Sequence, residues 1–288
     1  MVTGNSSFAR KIVLLDIDWP RANTWKKPEL QRDFCLRRMI RDTAAHLRIR
    51  TDTREIIVSP EAHSPADLQQ LYEARFAGRS DYRKRVWEVL CRFFARWVPA
   101  EAAVLDLGCG WCEFINALPC RRKFAMDLNP DAQLHALPGV KVLQQDCAET
   151  WQLEDDSLDV VFTSNFFEHL TSKSALEKTL LEAHRVLRTD GRLIAMGPNI
   201  KYLPGAYWDF IDHNLALTEL SLLELMKKCG FDGELCVGRF LPYTMSGGRQ
   251  YPIWTLRLYL ALPMAWRFWG KQFLVVGRKK MRQVRQMS

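Results

Sequence analysis

From about residue 80 onward, two hydrophobic periods alternate along the chain. Val86, Val89, Leu90, Phe93, Phe94 and Trp97 recur at helical spacing, with Asp81 near the start and Pro99 just past the end, which predicts an amphipathic helix. Short β-type runs follow at 102–107 (AAVLDL), 123–127 (KFAMD), 140–144 (VKVLQ), 158–163 (LDVVFT) and 191–196 (GRLIAM). Between the last two, Leu176, Leu180, Ala183, Val186 and Leu187 predict a helix closed by Thr189-Asp190-Gly191, and Leu220 to Cys229 predict another closed by Gly230. Two further strands are expected at 234–239 (ELCVGR) and 272–279 (QFLVVGRK), bracketing a long aromatic segment. Strands alternating with helices call for an α/β fold, a doubly wound and mostly parallel sheet covered on both faces. Residues 1–66 carry Pro20, Pro28, Pro60 and Pro65 without sustained periodicity, and form an N-terminal extension of unclear structure.

Composition narrows the picture. In a chain of 288 residues, 48% are hydrophobic and 26% charged, enough to bury a core and too apolar for a solvated coil. The eight cysteines are scattered behind an N-terminus whose apolar run stops at Asp16, so reduced thiols and a cytoplasmic location are expected rather than a disulfide scaffold. The net charge of +8 is unevenly distributed: residues 67–234 hold 19 basic and 25 acidic side chains, whereas residues 235–288 hold 10 basic and no acidic ones. A basic end meets phosphates, anionic lipid or a phosphorylated substrate, and charge alone does not choose among them.

The candidate chemistry begins at Asp106-Leu107-Gly108-Cys109-Gly110, where a strand runs into a glycine turn and then a helix. Glycines there permit a tight turn and close approach of backbone to a ligand. Seventeen residues beyond Gly110 comes Asp127, ending the second strand, where a doubly wound sheet places a carboxylate against ribose hydroxyls. A nicotinamide fingerprint wants a third glycine where Glu113 stands, so that reading weakens. Cys109 and Cys112 make a C-x-x-C spacing with no second Cys or His pair, and no metal centre is expected. Asp16-Ile17-Asp18 is a D-x-D without the surroundings of a phosphatase or glycosyltransferase, and reads as a chance match.

These residues resemble the class I S-adenosylmethionine-dependent methyltransferases, over about residues 71–240 and the last strand. Asp106, Gly108 and Gly110 match the D-x-G-x-G motif, Asp127 the ribose carboxylate and Asp146 the residue facing the adenine amino group. The stretch from Asp159 to Leu170 is similar to the fourth strand and its active-site loop, and 187–192 to the turn into the fifth strand. Trp111-Cys112 stand where the family often has a further glycine. The resemblance implies a Rossmann-like, seven-stranded sheet with an antiparallel last strand. It also implies S-adenosyl-L-methionine as cofactor, held by Asp106, Gly108, Cys109, Gly110, Asp127, Leu128, Asp146, Cys147 and Asn165.

The acceptor has to be argued from the site. Ser164-Asn165-Phe166-Phe167 lacks the Pro-Pro-aromatic signature of nucleobase amino methylation, and no Pro-Cys supports attack on cytosine. Glu168, His169, His184, Asp209 and His213 are the candidate bases, of which His213 and His169 are taken as catalytic and His184 as structural. The loop 198–214 after the fifth strand mixes aromatic rings with Asp and His, as a sugar-like acceptor would require; the plain alternative is a packed connector in which His213 caps the next helix. Residues 251–270 carry Trp, Tyr and Leu with Arg257 and Arg267 and no acid, a composition suited to a membrane surface, to a lid or to an oligomer contact; Pro263 breaks the segment.

The expected organisation is therefore 1–66 extension, 67–240 methyltransferase core, 241–271 aromatic basic insertion and 272–288 last strand with a basic tail. The expected activity is O-methylation of a sugar or lipid-linked glycan, cytoplasmic and peripheral on the inner membrane face, with no nucleic-acid partner. The alternatives are a small-molecule or lipid O/N-methyltransferase, or a non-catalytic module binding an acidic partner.

Overall fold

The computed structural model describes residues 69–70, 72–74, 80–243 and 250–280. The chain divides into two units, Met1–Ile57 and Val58–Ser288, and every described residue belongs to the second. The extension with its Asp16-Ile17-Asp18, residues 244–249 of the insertion, and Arg282 and Arg285 of the tail lie outside the described residues.

Helix α1 (Ser80–Phe94) has Asp81 in its first turn and buries Val86, Trp87, Val89, Leu90 and Phe94. Strand β1 (Ala103–Leu107) is buried at every position, as expected for a central strand covered on both faces. There follow α2 (Glu113–Ala117), β2 (Arg122–Met126), α3 (Asp131–His135), β3 (Val140–Leu143) and β4 (Leu158–Ser164). Helix α4 (Lys173–Val186) starts on Ser172, whose hydroxyl accepts from the Ala175 N–H. Then come β5 (Leu187–Pro198), α5 (Glu219–Lys228), β6 (Phe231–Val237), α6 (Ile253–Ala261), α7 (Pro263–Trp269) and β7 (Gln272–Lys279).

The strands form one seven-stranded sheet in the order β3-β2-β1-β4-β5-β7-β6. Strand β7 runs antiparallel to both β5 and β6; the other pairings are parallel. On one face α1, α2 and α6 pack around Phe94, Phe114, Phe162 and Phe240; on the other, α4 and α5 cover Leu105, Val161, Leu193 and Val275. The strand order reverses between β1 and β4, which opens a crevice at their carboxyl ends, where open α/β sheets bind ligands.

Two expectations shift. The strand predicted at 234–239 is Phe231–Val237, because Phe231 is fully buried against α5 and directly follows Gly230 at φ +96. The turn expected at Thr189-Asp190-Gly191 does not stand outside a strand: β5 already begins at Leu187. Asp190 at φ +65 makes an irregularity within it, where pairing with β4 jumps from Leu158↔Leu187 to Val160↔Arg192.

Candidate functional site

The loop after β1 is built on two positive-φ glycines, Gly108 (φ +69) and Gly110 (φ +51). A Cβ on Gly108 would lie 2.2 Å from the Phe166 ring, and one on Gly110 2.7 Å from that of Tyr72, so both backbone angle and packing demand glycine. Cys112 (φ +60) takes the left-handed conformation that glycine adopts without strain, at the position where the sequence departs from the family pattern. The loop is tied to β2: Gly108 N and Cys109 N donate to the Met126 carbonyl at 2.9 and 3.2 Å. Asp127 completes the clasp, its Oδ2 accepting from Gly110 N at 2.7 Å and its Oδ1 from Asn129 N at 2.9 Å. Burial raises the Asp127 carboxyl above the usual range, against the pull of the Asn129, Gly110 and Leu128 amides. Beneath the loop, Arg83 of α1 grips Glu113 through two contacts of 2.5 and 3.0 Å.

The nine residues expected to hold the cofactor and the two histidines taken as catalytic, His169 and His213, all line one cavity of about 270 Å³. Asp106 lies below the loop, 3% exposed, and its carboxyl is pushed well up by burial. Asp146 accepts from Ala148 N at 2.8 Å, and Cys147 Sγ receives the Thr179 hydroxyl at 3.3 Å. Asn165 sits at φ +49 with its amide nitrogen on Ser164 Oγ; its Oδ1 is buried without a hydrogen-bond partner, an acceptor held ready in the cavity wall. Cys109 and Cys112 are free thiols whose sulfurs stand 3.7 Å apart.

The far half of the cavity is made by a one-turn helix at Phe167–His169 and the loop after β5. They are stitched together: Asn214 N and Leu215 N donate to the Glu168 carbonyl at 2.8 and 3.0 Å, and Asn214 Nδ2 to the His169 carbonyl at 3.1 Å. Fully buried Tyr207 pins the loop through its hydroxyl, which donates to the Leu215 carbonyl and accepts from Leu217 N. This brings His169 Nδ1 to 3.0 Å from the Asp212 carbonyl and 3.2 Å from Asp212 Oδ2. Two acceptors facing Nδ1 place the proton there and leave Nε2 with its lone pair.

Nε2 stands 3.9 Å from Glu168 Oε1, beyond hydrogen-bond reach, and that oxygen is buried without a hydrogen-bond partner. Burial pushes Glu168 up to about 7, with His169 opposing. Burial would lower His169, but its hydrogen bond to Asp212 and the Glu168 charge prevail and the imidazole is raised. His213 stacks on Phe210 at 5.0 Å and meets the His169 ring at 5.0 Å. Among the described residues, Glu168, His169 and His213 form a group whose donor atoms all lie within 4.8 Å of one another, a set the sequence did not flag.

The structure separates the other candidates. Asp209 is exposed and outside the cavity. His184 packs edge-on against Phe231 at 5.3 Å, a structural place. Helix α5 is capped by Thr218, which receives Ser221 N, so His213 is not its cap. Sequence reasoning passed over Asp212, although it adjoins His213. It also passed over Tyr72, Arg83, Gln145, Tyr243 and Gln272, which line the cavity from distant parts of the chain.

A family model described as a methyltransferase domain matches residues 105–195. A protein of Encephalitozoon cuniculi that bears a methyltransferase name is 27% identical over 136 residues, 47% of this chain and 63% of the relative, so the match spans less than two thirds of that protein. Among solved structures, a SAM-dependent methyltransferase from Archaeoglobus fulgidus is similar at TM-score 0.53 and 18% identity, over 73% of this chain and 99% of that one. A chain of the Haloferax volcanii complex between the Trm112 methyltransferase activator and a methyltransferase aligns at TM-score 0.54 and 18% identity, over 74% and 97%. At such identities the solved structures share the fold.

Proposed function

From the premise that this chain belongs to the class I S-adenosylmethionine-dependent methyltransferases, we propose that it methylates a hydroxyl of a sugar or lipid-linked glycan. The cofactor is S-adenosyl-L-methionine, and the residues present fit it: positive-φ glycines, a carboxylate at the end of β2 and the orphaned Asn165 Oδ1 face one cavity. When bound, it supplies an electrophilic methyl group on a sulfonium.

The observation that carries the reading is the His169–Asp212 pair in the same cavity as the cofactor loop. Asp212 fixes the ring, and Nε2 is the site that takes the proton of an acceptor hydroxyl as its oxygen turns nucleophilic. Phe210 and Tyr243, their rings 6.0 Å apart, give apolar walls suited to the C–H faces of a pyranose, while His213, Asn214 and Gln272 offer polar atoms to its hydroxyls. Transfer from methyl-labelled cofactor to a panel of oligosaccharides, polyprenyl-linked sugars, phenols and amines tests this. Label on a glycan oxygen supports the reading; transfer only to phenols or amines replaces it with small-molecule O- or N-methylation. A second reading has the Glu168, His169 and His213 donors hold a divalent cation that polarises the acceptor. Undiminished turnover in chelator assigns the proton to His169; activity restored only by magnesium or manganese assigns the group to an ion.

A further inference from the structure

Helices α6 and α7 form a bent pair with two unlike sides. The inner side is spent on the fold: Leu260 is buried, Trp266 stands 5.9 Å from Phe93 and 5.1 Å from Phe240, and its indole N–H reaches the Tyr259 carbonyl. The outer side is not. Trp254 and Leu258 recur at i, i+4 on α6 and lead to Leu262 at the bend; Met264, Phe268 and Trp269 continue on α7, all six between 49% and 70% exposed. Among the described residues, seven of the fourteen large apolar side chains left exposed lie within residues 251–269. A patch this concentrated marks a surface that something covers.

Charge chooses what covers it. Arg257, Arg267 and Lys271 are exposed in the same stretch, and no acidic residue follows Glu234. A second copy docked face to face would bring Arg257, Arg267 and Lys271 against their like, with no carboxylate within the segment to meet them. An anionic bilayer offers hydrocarbon for tryptophan, phenylalanine and leucine, and phosphates for arginine and lysine at the same depth. No described helix is long and apolar enough to cross a membrane, so contact is from one side.

We propose that α6 and α7 seat the protein on an anionic membrane surface, with the cavity rim beside the seat. The excursion leaves and rejoins the fold at the rim: Tyr243 and Gln272, on either side of it, both line the cavity. Its base is clamped there, Lys271 N and Gln272 N donating to the Leu241 carbonyl at 2.8 and 2.9 Å, and Phe240 N to Gln272 O at 2.6 Å. An acceptor tethered by a lipid tail in that membrane arrives at this rim. That last step rests on the methyltransferase reading; the docking does not.

The test is co-sedimentation of the 288-residue chain with vesicles of phosphatidylcholine and phosphatidylglycerol (about 7:3), beside pure phosphatidylcholine, with tryptophan quenching by brominated lipid. Wild type is expected to bind the anionic vesicles about tenfold or more tightly than a variant carrying Trp254→Ser, Phe268→Ser and Trp269→Ser. These side chains are exposed, so the variant should melt with wild type. Arg257→Gln with Arg267→Gln should remove part of the preference for anionic lipid.

Equal binding by the serine variant, or no binding by wild type, overturns the proposal. So does a wild-type dimer in light scattering that the serine variant abolishes, which gives the face to a second copy. Calorimetry with S-adenosylmethionine in solution keeps the two readings apart: cofactor binding without vesicle binding sinks only the docking, and vesicle binding without cofactor binding sinks only the methyltransferase reading.

Discussion

At the scale of a single residue, Asp127 ties the glycine loop together besides the ligand contact proposed for it. Its two oxygens hold Gly110 N and Asn129 N, so removing it loosens the glycine loop as well as the proposed ribose site. Asp127→Ala should weaken S-adenosylmethionine binding by about 1–3 kcal/mol, the cost of a lost charge-assisted hydrogen bond, and calorimetry reads it directly. Affinity equal to wild type would move the ribose elsewhere. His169 gives a second expectation. A base acts unprotonated, and the imidazole here is raised from its ordinary value of 6.5, so turnover should climb with pH along a limb centred above 6.5. Asp212→Asn removes a cause of that rise: the limb should move to lower pH while kcat falls. His169→Asn should cost on the order of 10²- to 10⁴-fold in kcat with cofactor affinity kept. A pH profile unchanged in Asp212→Asn would leave the aspartate a loop contact only.

Elements set what those residues can do. The turn after β1 tolerates no side chain at 108, because φ is positive and the Phe166 ring fills the space. Gly108→Ala should therefore abolish measurable cofactor binding, and adding Phe166→Ala should recover part of it by clearing the collision while the backbone strain remains. A double variant no better than the single would assign the whole effect to φ. In α7, Trp266 is the tie between the helical excursion and the aromatic cluster on α1. Trp266→Ala should destabilise by about 2–3 kcal/mol, at or below the lower end for a large aromatic because the ring is only partly buried, measurable by denaturant unfolding.

At the scale of the whole molecule, the site exists because strand order reverses between β1 and β4, leaving room at their carboxyl ends. The loops after β1, β2, β3, β4 and β5 all reach that crevice, so its ligand should stabilise the fold as a unit. At one hundred times its dissociation constant, S-adenosylmethionine should add about 2.7 kcal/mol to unfolding, seen as a raised Tm that Asp127→Ala diminishes. No shift at saturation would mean that the crevice takes another ligand.

Local chemistry is what the sequence determined on its own. Apolar runs and helical stripes placed all seven strands and the main helices, since periodicity reflects which faces are buried regardless of the partner. The D-x-G-x-G turn and Asp127 were legible because a tight turn and a strand-end carboxylate are properties of a few consecutive residues. Pro263 likewise announced the break at which α7 begins.

What joins distant segments was decided only by the tertiary structure. Asp212 and His169 lie 43 residues apart and meet because Asn214 and Leu215 bond to the Glu168 carbonyl; no spacing rule encodes that contact. Tyr72 and Arg83 reach the glycine loop from the helical segments before β1, and Tyr243 and Gln272 close the far rim, for the same reason. The shift of β6 to Phe231–Val237 and the irregularity at Asp190 follow from pairing with neighbouring strands, which the strand's own residues do not contain. The division of the 251–269 side chains into buried and exposed also depended on the fold, because both sides of that segment are apolar and only the surface of α1 determines which side is covered.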